Sequence, residues 1–296
     1  MHTGTPEKAA FLEAVGFSRI ILARELTLAE ILRIRAATRV ELECFVHGAL
    51  CVCYSGRCSM SYAIGGRSAN RGQCAQPCRR RYRLENADGR PVAPPAHFLS
   101  LKDLNLSQYL QNLIDAGITS FKIEGRLKDI NYVRNITAYY RKELDKVMAE
   151  KQMTKPSSGK SIFHFEPDPE RSFNRGFTDY FIYGRHKNIF SPETQKATGK
   201  KIGVVQKVGD RFIVAKLDEP ISNGDGICFY DEKNQLQGTR VNRVEGDTLF
   251  FFKMPDIKQG TILFRNADTA FEQLLETDKT KRLISAEMIL TETDHG

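Results

Sequence analysis

Over its first 150 residues the chain alternates short apolar runs with amphipathic stretches, and that alternation restricts the possible folds more than any other feature. Thr5-Pro6-Glu7 supplies an N-cap with proline at the first helical position, and Ala9, Phe11, Leu12 and Val15 then mark one face of a short helix. Ser18 to Ala23 (SRIILA) runs continuously apolar from Ile20 on, and reads as a strand covered on both faces. Thr27 with Glu30 forms a capping box that opens a helix through Ile34, and Val40 to Val46 reads as a second strand. Further on, His97 to Leu101 and Ile118 to Ile123 read as strands. Asp103 to Asp115 reads as a helix with Leu104, Leu106, Leu110, Leu113 and Ile114 inward. A longer helix is expected from Asp129 to Met148, its core face carrying Val133, Ile136, Tyr140, Leu144 and Val147.

Strands alternating with helices in this way predict parallel βα units. Four such strands are half of a closed (β/α) barrel, which needs eight strands and roughly 250 residues. The expected fold class is therefore α/β plus all-β. Residues 1–150 would form the C-terminal half of a TIM-type barrel, interrupted by a cysteine-rich insert at 44–83. Four parallel strands alone leave two open sheet edges, so an N-terminal half-barrel is expected to be missing. Residues 151–200 are rich in Pro, Ser, Gly and scattered aromatics without a sustained period, and are expected to wrap a domain surface as a connector. Short strands separated by Gly209-Asp210, Asn223-Gly224-Asp225 and Glu245-Gly246-Asp247 then predict a small six-stranded β-barrel over 201–266. Residues 267–296 read as a helix followed by the start of a further strand at Ala286 to Thr291. Ser158-Gly159-Lys160-Ser161 imitates the end of a phosphate-binding loop, but Thr154 stands where the first glycine belongs, so no nucleotide is assigned to it.

Six of the seven cysteines lie between Cys44 and Cys78. No apolar run is long enough to span a bilayer and no signal-peptide pattern opens the chain, so a cytoplasmic protein is expected. In that reducing setting, crowded thiols point to metal ligation before disulfides. Cys51, Cys58, Cys74 and Cys78 fall in the pattern C-x6-C-x15-C-x3-C, with Gly56, Gly65, Gly66 and Gly72 allowing the turns needed for convergence. Structural zinc sites favour tighter pairs, and only Cys74 with Cys78 has such a spacing. Iron–sulfur clusters accept wider spacing. A cluster leads on this reading, with zinc or no metal as the alternatives. Cys44 and Cys228 read as packing residues, and Cys53 as packing or a substitute ligand.

In βα barrels the chemistry gathers where strands end. Glu43 and His47 at the end of the second strand, Arg24 and Glu25 after the first, and Glu124 and Arg126 after the fourth are therefore candidate catalytic or rim residues. Arg67, Arg71, Arg79, Arg80, Arg81 and Arg83 crowd the same insert, and the chain carries a net charge of +8. Guanidinium groups in such density suit an anionic partner, a polyanion, against the plain alternative of a solvated face.

Glu43-Cys-Phe-Val-His-Gly-Ala-Leu-Cys51 followed by Ser55-Gly-Arg-Cys58-Ser-Met-Ser61 resembles the signature of the U32 peptidase family, often called collagenase-like. The blocks LARELTLAEI, GGRSANRGQCAQPCRRRY, LSLKDLNL, FKIEGRLKD and FNRGFT match in the same order and extend the resemblance over most of residues 1–200. It implies a (β/α) barrel whose Cys51, Cys58, Cys74 and Cys78 hold a [4Fe–4S] cluster. It also implies membership of the branch that hydroxylates C5 of a pyrimidine in ribosomal or transfer RNA with prephenate as co-substrate, the ribosomal cytidine enzymes first. Arg126 or Arg67 would then grip the carboxylates of prephenate. Proteolysis is the second reading, although the chain has neither an HExxH zinc site nor a G-x-S-x-G elbow. A redox or scaffold component without RNA activity is the third.

Overall fold

The computed structural model describes residues 2–154 and 157–291. In chain order the first part comprises α1 (Pro6–Ala14), β1 (Arg19–Ile21), α2 (Leu28–Ala36), β2 (Glu41–Ala49), α3 (Met60–Gly65), β3 (Tyr82–Glu85), β4 (Pro91–Ala96), β5 (Asp103–Asn105), α4 (Leu110–Asp115), β6 (Ile118–Ile123) and α5 (Ile130–Glu150). There follow β7 (Lys160–Ile162), β8 (Phe177–Thr178), β9 (Lys200–Val208), β10 (Phe212–Leu217), β11 (Gly226–Tyr230), β12 (Leu236–Arg240), β13 (Arg243–Glu245), β14 (Thr248–Phe250), β15 (Ile262–Ala267), α6 (Thr269–Thr277) and β16 (Lys281–Leu283). The result is a mixed α/β protein with one curled, all-antiparallel sheet and several smaller sheets. Among the described residues no helix is long and apolar enough to cross a membrane.

The helix caps form as their sequences dictate. Thr5 and Thr27 accept the expected backbone bonds, and the Glu30 side chain closes the capping box. In α5 the buried face is Tyr132, Asn135, Ile136, Ala138 and Tyr140, whereas Val133, expected inward, is largely exposed.

Strands β1, β2 and β6 lie parallel, β2 in the middle. The third parallel strand expected at His97 to Leu101 does not form. Leu101 makes a single bridge to Phe190, and β2 pairs directly with β6 where that strand would have stood. The physical cause is the Arg79 side chain, which donates to Ser100 Oγ and the Leu101 carbonyl and pulls this segment onto the insert. Asp103–Asn105, expected to begin a helix, is instead strand β5, antiparallel to the end of β2 and parallel to β8. The Asp103 carboxylate is held by Arg175, which stops it from acting as a helix cap. The helix itself starts only at Leu110.

One core runs beneath this unit, with Ile34, Leu42, Val46, Leu113 and Ile136 at its centre, and the connector residues Tyr180, Ile182 and Ile189 are buried in it. The wrapping connector thus belongs to the first core. Phe165, also from the connector, packs with Phe271 and Leu275 of α6. The phosphate-loop imitation is structural: Lys160–Ile162 pairs with β16.

The distal sheet has seven strands in the order β12-β11-β15-β9-β10-β14-β13, not the six of a closed barrel. Residues Thr239 to Val244 divide between β12 and β13, because Val241 and Asn242 send their N–H groups to the Asp225 and Phe250 carbonyls at the corner. The sheet curls without closing, with β12 and β13 at its two ends. Residues 286–291 form no strand, and 292–296, the rest of that expected segment, lie outside the described residues.

Candidate functional site

The cysteine insert is tied to the ends of all three parallel strands. After β1, the Glu25 carboxylate accepts from Ser55 N at 2.9 Å and Ser55 Oγ at 2.8 Å, and Arg24 N donates to Ser55 Oγ at 3.2 Å. At the end of β2, Gly48 has φ +105°, and a Cβ there would collide with the Glu124 carbonyl. After β6, Glu124 Oε2 stands 3.3 Å from Arg24 Nη2, its Oε1 accepts from Arg126 N at 2.9 Å, and the Arg126 guanidinium donates to the Gly72 carbonyl. Arg24 also lies 3.9 Å over the Phe45 ring, and its Nε is buried without a partner among the described residues. Of the expected rim residues, Arg24, Glu25, Glu124 and Arg126 are therefore brought together as one chain of contacts against the insert.

Within the insert, Cys58 and Asn70 exchange two hydrogen bonds, Cys58 N to Asn70 Oδ1 at 3.0 Å and Asn70 Nδ2 to the Cys58 carbonyl at 3.2 Å. Fully buried Ser61 donates to the Arg67 carbonyl at 2.6 Å and accepts from Ala75 N at 3.0 Å. Gln76 N points at Cys74 Sγ from 3.3 Å. These bonds fold distant parts of the segment onto each other, and the thiols of Cys51, Cys58, Cys74 and Cys78 come close enough to feel one another electrostatically. Cys53 joins them through a contact with Cys58. Burial raises the Cys51 and Cys78 thiols, and pushes Cys53 up to about 12. Arg24 beside Cys51 and Arg79 beside Cys78 oppose that shift. Thiols held in this state need a cationic centre to become thiolates.

Among the described residues no three His, Cys, Asp or Glu side chains converge tightly enough to grip a single metal ion. A four-iron cube binds each thiolate at a different iron, so its ligand sulfurs stand further apart than those around one ion. Four neighbouring, loosely spaced thiols with a backbone N–H aimed at one sulfur fit the larger group.

Glu43 and His47 do not share an opening. Between Phe45 and His47 the pairing of β2 with β6 slips by one residue, which turns the following side chain to the other face. Glu43 accepts from Ser120 Oγ at 2.8 Å and faces Lys122 at 3.3 Å and Arg19 at 3.7 Å. His47, only 2% exposed, sits among Tyr132, Tyr140 and Phe177 with Nδ1 3.4 Å from Tyr140 Oη. Burial pushes its pKa down to about 3, which keeps the ring neutral. No hydrogen bond joins His47 to Cys51 among the described residues, so the pair lacks the geometry of an activated cysteine nucleophile.

The arginines divide as well. Arg67, Arg71, Arg80 and Arg81 are exposed. Arg79, expected on the same surface, is 6% exposed and donates to the Leu50 carbonyl and Ser100 Oγ, both at 2.9 Å. It is a clamp that holds the insert to the strand ends. Cys44 and Cys228 are buried.

The structure adds a group that the strand-end reasoning passed over. Lys128, Asp103, Phe173 and Arg175 meet beside Tyr132. Each lies in one of the sequence blocks quoted above, LSLKDLNL, FKIEGRLKD and FNRGFT; their shared location was the available signal.

Residues 1–191 match the description "Peptidase family U32". The chain belongs to that family. It is 43% identical over 296 aligned residues to the 23S rRNA 5-hydroxycytidine C2501 synthase of Escherichia coli (strain K12), covering 97% of this chain and 45% of that protein. It is 40% identical over 249 residues to tRNA hydroxylation protein P1 of Bacillus subtilis (strain 168), covering 78% of this chain and 57% of that protein. A Porphyromonas gingivalis protein named collagenase is 34% identical over 146 residues, 49% of this chain and 39% of its own length. The chain spans about half the length of the curated relatives it matches. No solved structure matches it.

Proposed function

We propose that this U32 chain acts in hydroxylation of C5 of a pyrimidine in ribosomal or transfer RNA, with ribosomal cytidine first, in the cytoplasm and with prephenate as co-substrate. The observation that carries the reading is the likeness, across nearly the whole chain, to the rRNA 5-hydroxycytidine synthase. On this reading β1, β2 and β6 with their helices are part of a (β/α) barrel that a preceding half would complete, and the insert stands at its catalytic end. Cys51, Cys58, Cys74 and Cys78 would hold a [4Fe–4S] cluster, which supplies one-electron redox chemistry when bound. The chain's own residues build the surroundings. Gly72 and Glu124 orient Arg126, Arg79 clamps the insert, and Arg67, Arg71, Arg80 and Arg81 present positive charge to RNA. A base inside a duplex must be flipped out, or the target must lie in a loop, before C5 is accessible.

The raised thiols and the sequestered His47 weigh against proteolysis by a Cys51–His47 pair. The test is iron and acid-labile sulfide content with a visible spectrum on protein purified without oxygen, compared with a Cys58→Ser/Cys74→Ser variant. Iron and sulfide near four each, lost in the variant, together with a missing hydroxypyrimidine in RNA from a deletion strain, is the expected result. Intact RNA modification in that strain would sink the hydroxylase reading. In RNA binding, Arg80→Glu/Arg81→Glu is expected to weaken affinity and flatten its salt dependence by about two phosphate contacts; unchanged binding would remove these residues from the interface.

A further inference from the structure

The Lys128 ammonium has no hydrogen-bond acceptor among the described residues. It stands 3.1 Å from the centroid of the Phe173 ring and 5.5 Å from that of Tyr132, half-buried, although a lysine stem is long enough to reach water. The carboxylates nearest to it are committed. Asp103, 3% exposed, pairs with Arg175 Nη1 at 3.1 Å and accepts from Arg175 N at 3.1 Å, while Asp129 caps α5 by accepting from Tyr132 N at 2.7 Å. The charged groups that act most strongly on Lys128 are Asp103, Arg175, Asp129 and Arg79. Leu127, with φ +62° and its own side chain 86% exposed, forms the turn that sends Lys128 inward. Arg79 ties this group to the cysteine insert, since its neighbour is Cys78.

We propose that Lys128, with Arg175 behind it and Phe173 beneath it, is an oxyanion-binding position of this site, taking either a carboxylate of a small co-substrate or a phosphodiester of RNA. It rests on the RNA-hydroxylase reading for the choice of those two sources. The ammonium without an acceptor, with the Arg175 and Arg79 guanidinium groups near it, favours an anion there. Burial holds Lys128 down to about 8, so the site is charged at neutral pH and loses its charge as pH rises through that value.

The experiment measures binding of prephenate by calorimetry and of a mixed-sequence single-stranded RNA by fluorescence anisotropy, for the wild-type chain, Lys128→Met and Lys128→Arg. If the anion is a carboxylate, Lys128→Met weakens prephenate by about tenfold or more, Lys128→Arg retains most of the affinity, and RNA binding is unchanged. If it is a phosphodiester, Lys128→Met weakens RNA and lowers the salt slope by about one contact, while prephenate is unaffected. In either case the affected wild-type affinity falls between pH 7 and pH 9 and the Lys128→Met affinity does not. Equal binding of both probes by wild type and Lys128→Met, or binding of neither by wild type, overturns the proposal. Lys128→Gln replaces Lys128→Met if the latter melts early. Binding is read without turnover, so this failure is separable from failure of the hydroxylase reading, which modified-nucleoside analysis reports.

Discussion

The two halves of the molecule differ in whether they leave polar groups without a partner. In the distal sheet, Arg265 is 5% exposed and fully partnered: it reaches Glu219, Asp225 at 3.5 Å, Asp268 at 3.0 Å and the Pro220 carbonyl at 3.1 Å. Asp225, with no exposure at all, accepts in addition from Ser222 N and Thr269 N. These buried charges hold α6 and the corner loops to the sheet. Around the parallel strands, beside closed pairs such as Asp103 with Arg175, some groups are left open among the described residues: Arg24 Nε has no partner, Lys128 has no acceptor, and burial raises the Cys51, Cys53 and Cys78 thiols. Closed networks fix a shape, whereas open ones can accept a ligand. The contrast separates scaffold from site without reference to any relative.

Arg265→Met tests the closed side and should have the largest effect. Removing the guanidinium leaves Asp225 charged and buried without its counter-ion, which costs roughly 3–5 kcal/mol. Chemical denaturation should report that loss while iron and sulfide content stay at the wild-type level. Iron lost in proportion to stability would mean that the two regions are not separable in this way.

Gly48→Ala probes the junction between strands and insert. The substitution forces a side chain into positive φ and against the Glu124 carbonyl, and roughly 1–3 kcal/mol is expected for the backbone conformation alone. Here stability and cluster content should fall together, because Gly48 lies three residues before Cys51. A variant with normal cluster content would show that this close approach does not position the insert.

His47 sharpens the comparison with the smallest effect. Its folded pKa is depressed from 6.5 to about 3 by burial, so the unfolded chain binds the extra proton and stability declines as pH falls below about 6.5. Between pH 6.5 and 5.5 this amounts to at most about 1 kcal/mol. His47→Gln should flatten that part of the pH profile in thermal melts, and an unchanged slope would assign it to other groups.

Much of this was legible in the chain itself. The capping box at Thr27 and Glu30, the turns of the distal sheet and the insert's cysteine spacing all depend on neighbours in sequence, where local chemistry decides. The run Ser18 to Ala23 does yield a strand, but only over Arg19–Ile21 and not covered on both faces, since Arg19 and Ile21 are exposed. The errors arose where a distant group intervened. Residues 97–101 have the pattern of a strand, but Arg79 draws them away; Asp103 has the pattern of a helix start, but Arg175 claims its carboxylate. Arg79 looked like one more surface arginine because its partners are main-chain carbonyls that no sequence pattern reveals.

By itself, then, the sequence determined the capped helices α1, α2 and α5, the density of thiols and the excess of positive charge, since capping and composition act over a few residues. Only the tertiary structure decided that His47 turns away from Glu43, that Cys53 joins the other thiols, and that Asp103, Lys128, Phe173 and Arg175 meet. A one-residue slip between strands and a buried ion pair between segments 72 residues apart are long-range events, and their outcome is set by packing.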